Sequence, residues 1–256
     1  MSAFEIHQFP FEWDDNYGVL IHSPETGETS CIDCGDAAAY QAALDEKGWN
    51  LTHIFITHHH ADHTTGVVAL KESNDATVMG PDYLGASPIE GIDQRLKDGA
   101  TFTFGGKTVQ VIYTPGHTMD LICYYIPEDG VVFVGDTLFA MGCGKHFEGT
   151  PAMIWESLKK IHALPAETLI YCSHEYTQEN AAFAIQIDPD NEALKARMVE
   201  IDKLRADDLP TVPFTLATEL ATNPFMRAND AGIRQQLGMA DASEVDVFTE
   251  IRIRRG

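Results

Sequence analysis

A chain of 256 residues, 44% hydrophobic and 22% charged, is long enough for one large domain or a main domain with a smaller appendage, and its composition excludes a disordered or membrane-embedded chain. Its 39 acidic against 17 basic residues leave a formal charge of -22, which repels nucleic acid and anionic membrane surfaces. No apolar run approaches the ~20 residues of a membrane span, and MSAFEIHQFPFEWDD lacks a basic start followed by an apolar signal core, so a cytoplasmic protein without a membrane partner is expected.

The first two thirds of the chain read as short strands broken by helices. FEIHQF (4–9), YGVLIHS (17–23) and SCIDCG (30–35) are apolar runs rich in β-branched and aromatic residues, followed by a helical pattern over 36–48. LTHIFIT (51–57) precedes a helix over 64–73, and then come ATVMG (76–80), TFTF (101–104), KTVQVIYT (107–114), LICYYI (121–126) and VVFVGD (131–136). A helix over 153–164 carries Ile154, Leu158 and Ile161 at helical spacing, and TLIYCS (168–173) closes the series. Two groups of strands with helices between them imply sheets packed face to face and covered outside by helices, an α+β arrangement.

Past residue 173 the pattern turns helical. Residues 177–187 and 191–207 read as helices joined by the turn DPDN, the second with Leu194, Met198, Ile201 and Leu204 along one stripe. Pro224 in NPFMR marks a break, and helices are expected over 228–237 and 243–253. The expected division is a domain over 1–173 followed by a helical C-terminal domain over 174–256.

The five cysteines are odd in number and unevenly spaced, which argues against a disulfide framework. Cys31 and Cys34 form a C-x-x-C at the end of a buried strand, without the helix start that lowers a thiol pKa, so no redox pair is expected. RIRRG at the end places three arginines in an acidic protein, either as a local anion site or as a solvated terminus.

The chemistry concentrates in THHHADH, residues 57–63. In a nearly extended chain alternate residues face the same way, so His58 and His60 can bind one ion together while His59 points to the other side. Asp62 and His63, where the chain turns into a helix, face a neighbouring position that suits a second ion. VIYTPGHT adds His117, VVFVGDT adds Asp136 and TLIYCSHEYT adds His174, each a polar residue just past an apolar strand. Five histidines and two aspartates suffice for two ions if one aspartate bridges, and imidazole with carboxylate suits zinc, iron or manganese better than calcium.

T-H-x-H-x-D-H followed by PGHT, GDT and a late histidine resembles the metallo-β-lactamase superfamily, which implies a four-layer αββα sandwich. THHHADH, TPGHT, VGDTLFAMGCGKHFEGT, HEYTQEN and NPFMR in that order are similar to glyoxalase II, the hydroxyacylglutathione hydrolases, over essentially the whole chain. That resemblance implies His58, His60 and His117 on a first divalent ion and Asp62, His63 and His174 on a second, with Asp136 bridging both beside a hydroxide. Zinc is the first expectation for both positions, with iron or manganese as alternatives. It further implies hydrolysis of S-D-lactoylglutathione to D-lactate and glutathione, a step of methylglyoxal detoxification, by attack of the bridging hydroxide on the thioester carbonyl. Asp62 and Asp136 are the expected catalytic carboxylates, and a monomer is the expected state. The thiolate leaving group, with a conjugate-acid pKa near ~8.5, needs little help from a general acid.

Lys145 in GCGK, Tyr176 in HEYT and the terminal pair Arg252 and Arg255 match the family's contacts to glutathione, and an arginine fork pairs well with its glycine carboxylate. Phe147 stands at an aromatic position that is tyrosine in some members, and Ser173 where the family usually has glycine. Cys143, flanked by glycines, is expected to pack rather than to act as a nucleophile. The competing readings are a persulfide dioxygenase with a single iron, a lactonase or β-lactamase on the same metal ligands, and a non-catalytic metal scaffold. His174 and the helical segment after it favour the hydrolase over the dioxygenase.

Overall fold

The computed structural model describes residues 3–11, 15–83, 85 and 88–256, and these separate into two compact units, Met1–Tyr113 with Thr118–Gly135 and Thr114–His117 with Asp136–Gly256. In the first unit, β1 (Glu5–Phe11), β2 (Asn16–His22) and β3 (Thr29–Ile32) pair antiparallel. The chain then climbs through α1 (Ala37–Lys47), which Asp36 caps by accepting from Ala38 N and Ala39 N and which Gly48 ends at φ 67°. β4 (His53–Phe55) joins β3 in parallel. α2 (Ala61–Thr64) and α3 (Val67–Asn74) lead to β5 (Thr77–Pro81) and β6 (Gln94–Leu96), both parallel continuations of the same sheet. β3 is buried at every position, as expected of a strand covered on both faces.

One face of this sheet meets α1 and α3: Tyr40, Leu44, Val67 and Leu70 pack on Leu20, Cys31, Ile54 and Val78. The other face meets a second, antiparallel run of β7 (Thr101–Phe104), β8 (Lys107–Tyr113), β9 (Ile122–Ile126) and β10 (Val131–Gly135). Phe55 is the hinge of that packing, with ring centroids 5.2 Å from Phe102 and Phe104 and 5.3 Å from Tyr124. The buried Tyr124 hydroxyl donates to Ile56 O at 2.7 Å. The unit is thus helices on sheet on sheet, as the two groups of strands implied.

The second unit begins with the short hairpin β11 (Leu138–Phe139) and β12 (Gly142–Cys143). α4 (Pro151–His162), capped by Thr150 with Pro151 in its first turn, buries Ile154, Trp155, Leu158 and Ile161. β13 (Leu169–Cys172) pairs with β14 (Phe214–Thr215), and between them α5 (Thr177–Ile187) and α6 (Glu192–Ala206) pack through Ala181, Ala184, Leu194 and Ile201. α7 (Leu216–Thr222), a 3-10 turn at Pro224–Met226, α8 (Ala231–Leu237) and α9 (Glu244–Arg255) complete it. Phe248 of α9 sits between Trp155 and Phe225, 5.5 and 5.9 Å away.

The helix expected over 64–73 begins only at Val67, after Gly66, which approaches the start of α1 so closely that a Cβ there would lie 2.5 Å from Ala37 N. β6, α2, β11, β12, β14 and α7 were not foreseen. β6 has Gln94 and Arg95 exposed, and its place comes from backbone pairing with β5 rather than from an apolar pattern. All five cysteines are free and buried. Burial and the neighbouring Cys34 and Asp33 push the Cys31 thiol well up, the reverse of what a redox pair needs. No helix among the described residues is long and apolar enough to cross a membrane.

Glu219 in α7 is 1% exposed, and its Oε2 accepts from Met141 N and from Asn223 Nδ2, both at 2.8 Å. Burial pushes its carboxyl from 4.5 up to about 7, outweighing the opposing pull of those two hydrogen bonds and of Arg197. The folded chain therefore keeps a proton that the unfolded chain releases between pH 4.5 and about 7. The associated stability is full below the unfolded value and is lost as pH rises through the folded one. The whole shift corresponds to about 3 kcal/mol. Glu219→Gln keeps an accepting oxygen and cannot ionise, so denaturant unfolding is expected to show it more stable than the parent at pH 8, with most of that gain gone at pH 5. Equal pH dependence in both proteins would show that another group titrates.

Candidate metal centre

Asp33 organises the first unit's histidines. It lies just past β3 at φ 56°, 6% exposed, and its Oδ1 accepts from Thr57 N at 2.7 Å. Its Oδ2 accepts from Thr57 Oγ1 and from His63 Nδ1, both at 2.8 Å. Thr57 Oγ1, having donated to Asp33, can accept from His58 Nδ1 at 3.0 Å. Both rings are then protonated on Nδ1, which leaves the Nε2 lone pairs of His58 and His63 for a cation. His58 Nε2 and His60 Nδ1 face each other at 3.1 Å, a distance at which two ring nitrogens either share a proton or converge on a cation. Asp62, in the single turn of α2, places Oδ2 3.2 Å from His63 Nε2 and accepts from Asn16 Nδ2 at 3.4 Å. Gly35 permits this turn to come near, since a Cβ there would lie 2.0 Å from Asp62 O. His59 turns to Asp120, with Nδ1 3.0 Å from its Oδ1.

In the second unit the carboxylate of Asp136 lies between two imidazoles. Its Oδ2 is 3.2 Å from His117 Nε2 and its Oδ1 is 3.5 Å from His174 Nε2. His117 Nδ1 donates to Lys145 O at 2.8 Å, which again leaves Nε2 as the lone-pair nitrogen. The TPGH segment reaches this place because Gly116, at φ 139°, has no side chain: a Cβ would lie 2.4 Å from Ile154 Cγ1. The His174 ring is stacked on Tyr176, 4.6 Å apart and 5° from parallel.

The candidate metal-ligating residues among the described residues thus fall in two groups, His58, His60, Asp62 and His63 in the first unit and His117, Asp136 and His174 in the second. This donor set of neutral imidazole and carboxylate fits divalent zinc, iron or manganese, and the Nδ1 hydrogen bonds of His58, His63 and His117 are the outer contacts that hold such ligands in one tautomer. All seven sequence-predicted ligand residues fall in these groups, and His59 falls in neither.

A pocket of about 240 Å³ adjoins His117 and Asp136 and is lined further by Phe139, Cys143, Lys145, Phe147, Tyr176, Asn180, Arg252 and Arg255. The five residues expected to bind substrate are thus all on its walls, in unequal ways. Lys145 is exposed with Nζ 5.9 Å from the Phe147 ring, and Phe147 is 63% exposed. Arg255 lies 3.5 Å from Glu179, whose side chain is itself exposed. Arg252 is buried instead: Nη1 donates to Cys143 O at 3.0 Å and Nη2 to Gly256 O at 3.4 Å, over the Phe225 ring. It holds backbone on one side of the pocket while its Nε has no hydrogen-bond partner. Burial pushes the Cys143 thiol up to about 11 against the pull of Arg252, so it is no nucleophile at neutral pH.

Sequence reasoning missed Asp33, Asp120, Asn180 and His146. Asp33 carries a signal all the same, as a polar residue just past a buried strand like most of the metal candidates. His146 sits beside Arg252 and Lys145, and burial followed by these two cations pulls its imidazole down.

The metallo-beta-lactamase superfamily profile matches residues 19–174, and the profile described as hydroxyacylglutathione hydrolase C-terminus matches residues 175–255. Among solved structures, ETHE1 from Myxococcus xanthus is similar with a TM-score of 0.69 and 25% identity, covering 97% of this chain and 90% of that one. The sheets and helices described above are therefore the α+β sandwich of the metallo-β-lactamase fold. Hydroxyacylglutathione hydrolase of Brucella ovis is 55% identical over 99% of this chain and 98% of its own length, and that of Brucella anthropi 53% identical over 98% and 96%. With such identity over nearly its whole length, the chain belongs to the hydroxyacylglutathione hydrolase family of the metallo-β-lactamase superfamily.

Proposed function

We propose that this chain hydrolyses S-D-lactoylglutathione to D-lactate and glutathione at a centre of two divalent ions, zinc first among the candidates. The observation that carries the reading is a single pocket lined both by His117 and Asp136 and by Lys145, Phe147, Tyr176 and Arg255. Metal-ligating groups and groups suited to a peptide-like anion thus share one cavity. His58, His60 and His117 would hold one ion and Asp62, His63 and His174 the other, while Asp136, with one oxygen toward His117 and the other toward His174, would serve both. When bound, such ions would supply a coordinated water with a pKa of about 7 in place of 15.7 and Lewis acidity for the thioester carbonyl.

The rest is done by the chain's own groups. Lys145 and Arg255 present cations to the carboxylates of the glutathione moiety in a protein whose charge of -22 would otherwise repel them. Phe147 and Tyr176 give that moiety flat apolar surfaces, and Arg252 holds the Cys143 carbonyl and the last residue in place. Asp62 beside His63 is placed to accept a proton released during attack. Cleavage expels a thiolate, stable enough that no further acid is required. On this reading residues 1–173 form the catalytic domain and residues 174–256 the helical substrate-binding domain. The setting proposed is a monomer in the cytoplasm, consistent with five free cysteines.

Loss of thioester absorbance with purified, metal-loaded protein tests the activity, and elemental analysis tests the metal count and identity. No turnover of this thioester at any metal loading would overturn the reading. Lys145→Ala is expected to raise KM about tenfold with kcat within about threefold, since it removes binding shared by ground and transition states. A fall in kcat at unchanged KM would move Lys145 from binding into the chemical step.

A further inference from the structure

We infer that Glu219, outside the pocket, is a positioning residue for thioester binding: with Asn223 and Asn180 it fixes the β11–β12 hairpin that carries Cys143 and Lys145. The inference rests on the proposed reading of Lys145 as a substrate contact. The turn Phe139–Gly142 is unusual in being buried throughout, with Met141 0% exposed at φ 53°, in the left-handed region that a methionine rarely adopts. The hairpin has two residues in each strand, so little of its backbone is satisfied by its own pairing.

Side chains from elsewhere supply the remainder. Glu219 accepts from Met141 N at 2.8 Å. Asn223 Nδ2 donates to Gly142 O at 2.9 Å, to Phe139 O at 3.4 Å and to Glu219 itself. Asn180 Nδ2 donates to Ala140 O at 3.1 Å. A buried acid bonded to one amide of a strained turn determines where that turn sits, because water cannot replace the lost partner.

The turn's position passes directly into the pocket. Phe139 lies edge-on to His174 and Tyr176, 5.7 and 5.4 Å away. Cys143 O, one residue past the turn, is what Arg252 holds. Two residues further on, Lys145 sends Nζ to the pocket and its carbonyl to His117 Nδ1. Glu219 itself is not one of the ligand candidates, and its hydrogen bonds run to Met141 and Asn223. Arg197 of α6 is the charged group that faces it, and that guanidinium is paired with Glu200 at 2.8 Å.

The test is steady-state kinetics of the full, metal-loaded chain on S-D-lactoylglutathione. Glu219→Ala, which strips Met141 N of its acceptor, is expected to raise KM about tenfold with kcat within about threefold, and Glu219→Gln, which keeps an accepting oxygen, to restore KM to within about twofold. A lowered melting temperature with unchanged KM in Glu219→Ala would reduce the residue to a structural one and overturn the inference. If that variant does not fold, Glu219→Asp draws the carboxyl back by one methylene, and its KM must rise at least about threefold; an unchanged value overturns the inference equally. Lys145→Ala is run alongside: raised KM there with none in the Glu219 variants defeats the positioning role alone, whereas no effect in Lys145→Ala defeats the reading of the pocket.

Discussion

Asp136→Ala is expected to lower kcat/KM for S-D-lactoylglutathione by at least about 10³-fold and to reduce bound metal from about two ions per chain toward one or none. The carboxylate is 5% exposed and has one oxygen toward His117 and the other toward His174, so its removal takes a negative charge from a place where, on the proposed reading, two dications meet. Without it the repulsion between those dications is no longer offset. Asp136→Asn separates charge from shape: it keeps an oxygen for one imidazole and presents an amide to the other, so metal content should fall nearly as far. Elemental analysis beside kinetics checks both variants. Full metal content with lost activity would make Asp136 a proton carrier and leave the bridging assignment wrong.

The second large effect is expected at a residue that makes no contact with metal. Asp33→Asn keeps an oxygen that can accept from Thr57 N but puts an amide NH2 where His63 Nδ1 and Thr57 Oγ1 now donate. His63 then loses the contact that sets its tautomer, and a buried donor is left facing another donor. Loss of such an outer partner costs about 10- to 100-fold in metal affinity, and the unsatisfied group about 1 to 3 kcal/mol of stability. Competition against a chelator of known affinity measures the first and denaturant unfolding the second. Destabilisation with unchanged metal affinity would show that Asp33 merely ties the end of β3 to Thr57.

Much of this centre was legible because its groups follow strands. His58, His60, His117, Asp136 and His174 each stand just past an apolar run, and runs such as ICYYI and VVFVG are buried at every position. Alternation in THHHADH separated His59 from His58 and His60, and His59 is bonded to Asp120 and belongs to neither ligand group. The resemblance to a family then supplied what periodicity lacks, the identity of a thioester and the residues around its thiol.

What escaped was set by long-range pairing. Asp33 meets His63 across 30 positions of sequence and Glu219 meets Met141 across 78, and no local pattern says which residue pairs with which. Arg252 and Arg255 read alike in RIRRG, yet one is buried on the Cys143 carbonyl and the other stands near an exposed glutamate. Their difference comes from the rotation of α9, which buries Val247, Phe248, Ile251 and Arg252 on one face.

By itself, then, the chain's order of residues determined most of its strands, its helical C-terminal segment and the candidate ligand side chains, because burial demands an apolar period and functional groups collect where such runs end. Only the tertiary structure decided which ring nitrogen of His58, His63 and His117 carries the proton, which arginine holds the Cys143 carbonyl, and which side chains bond the hairpin backbone. Those are properties of hydrogen bonds between distant segments, and such bonds exist only once the packing has brought their partners within three ångströms or so.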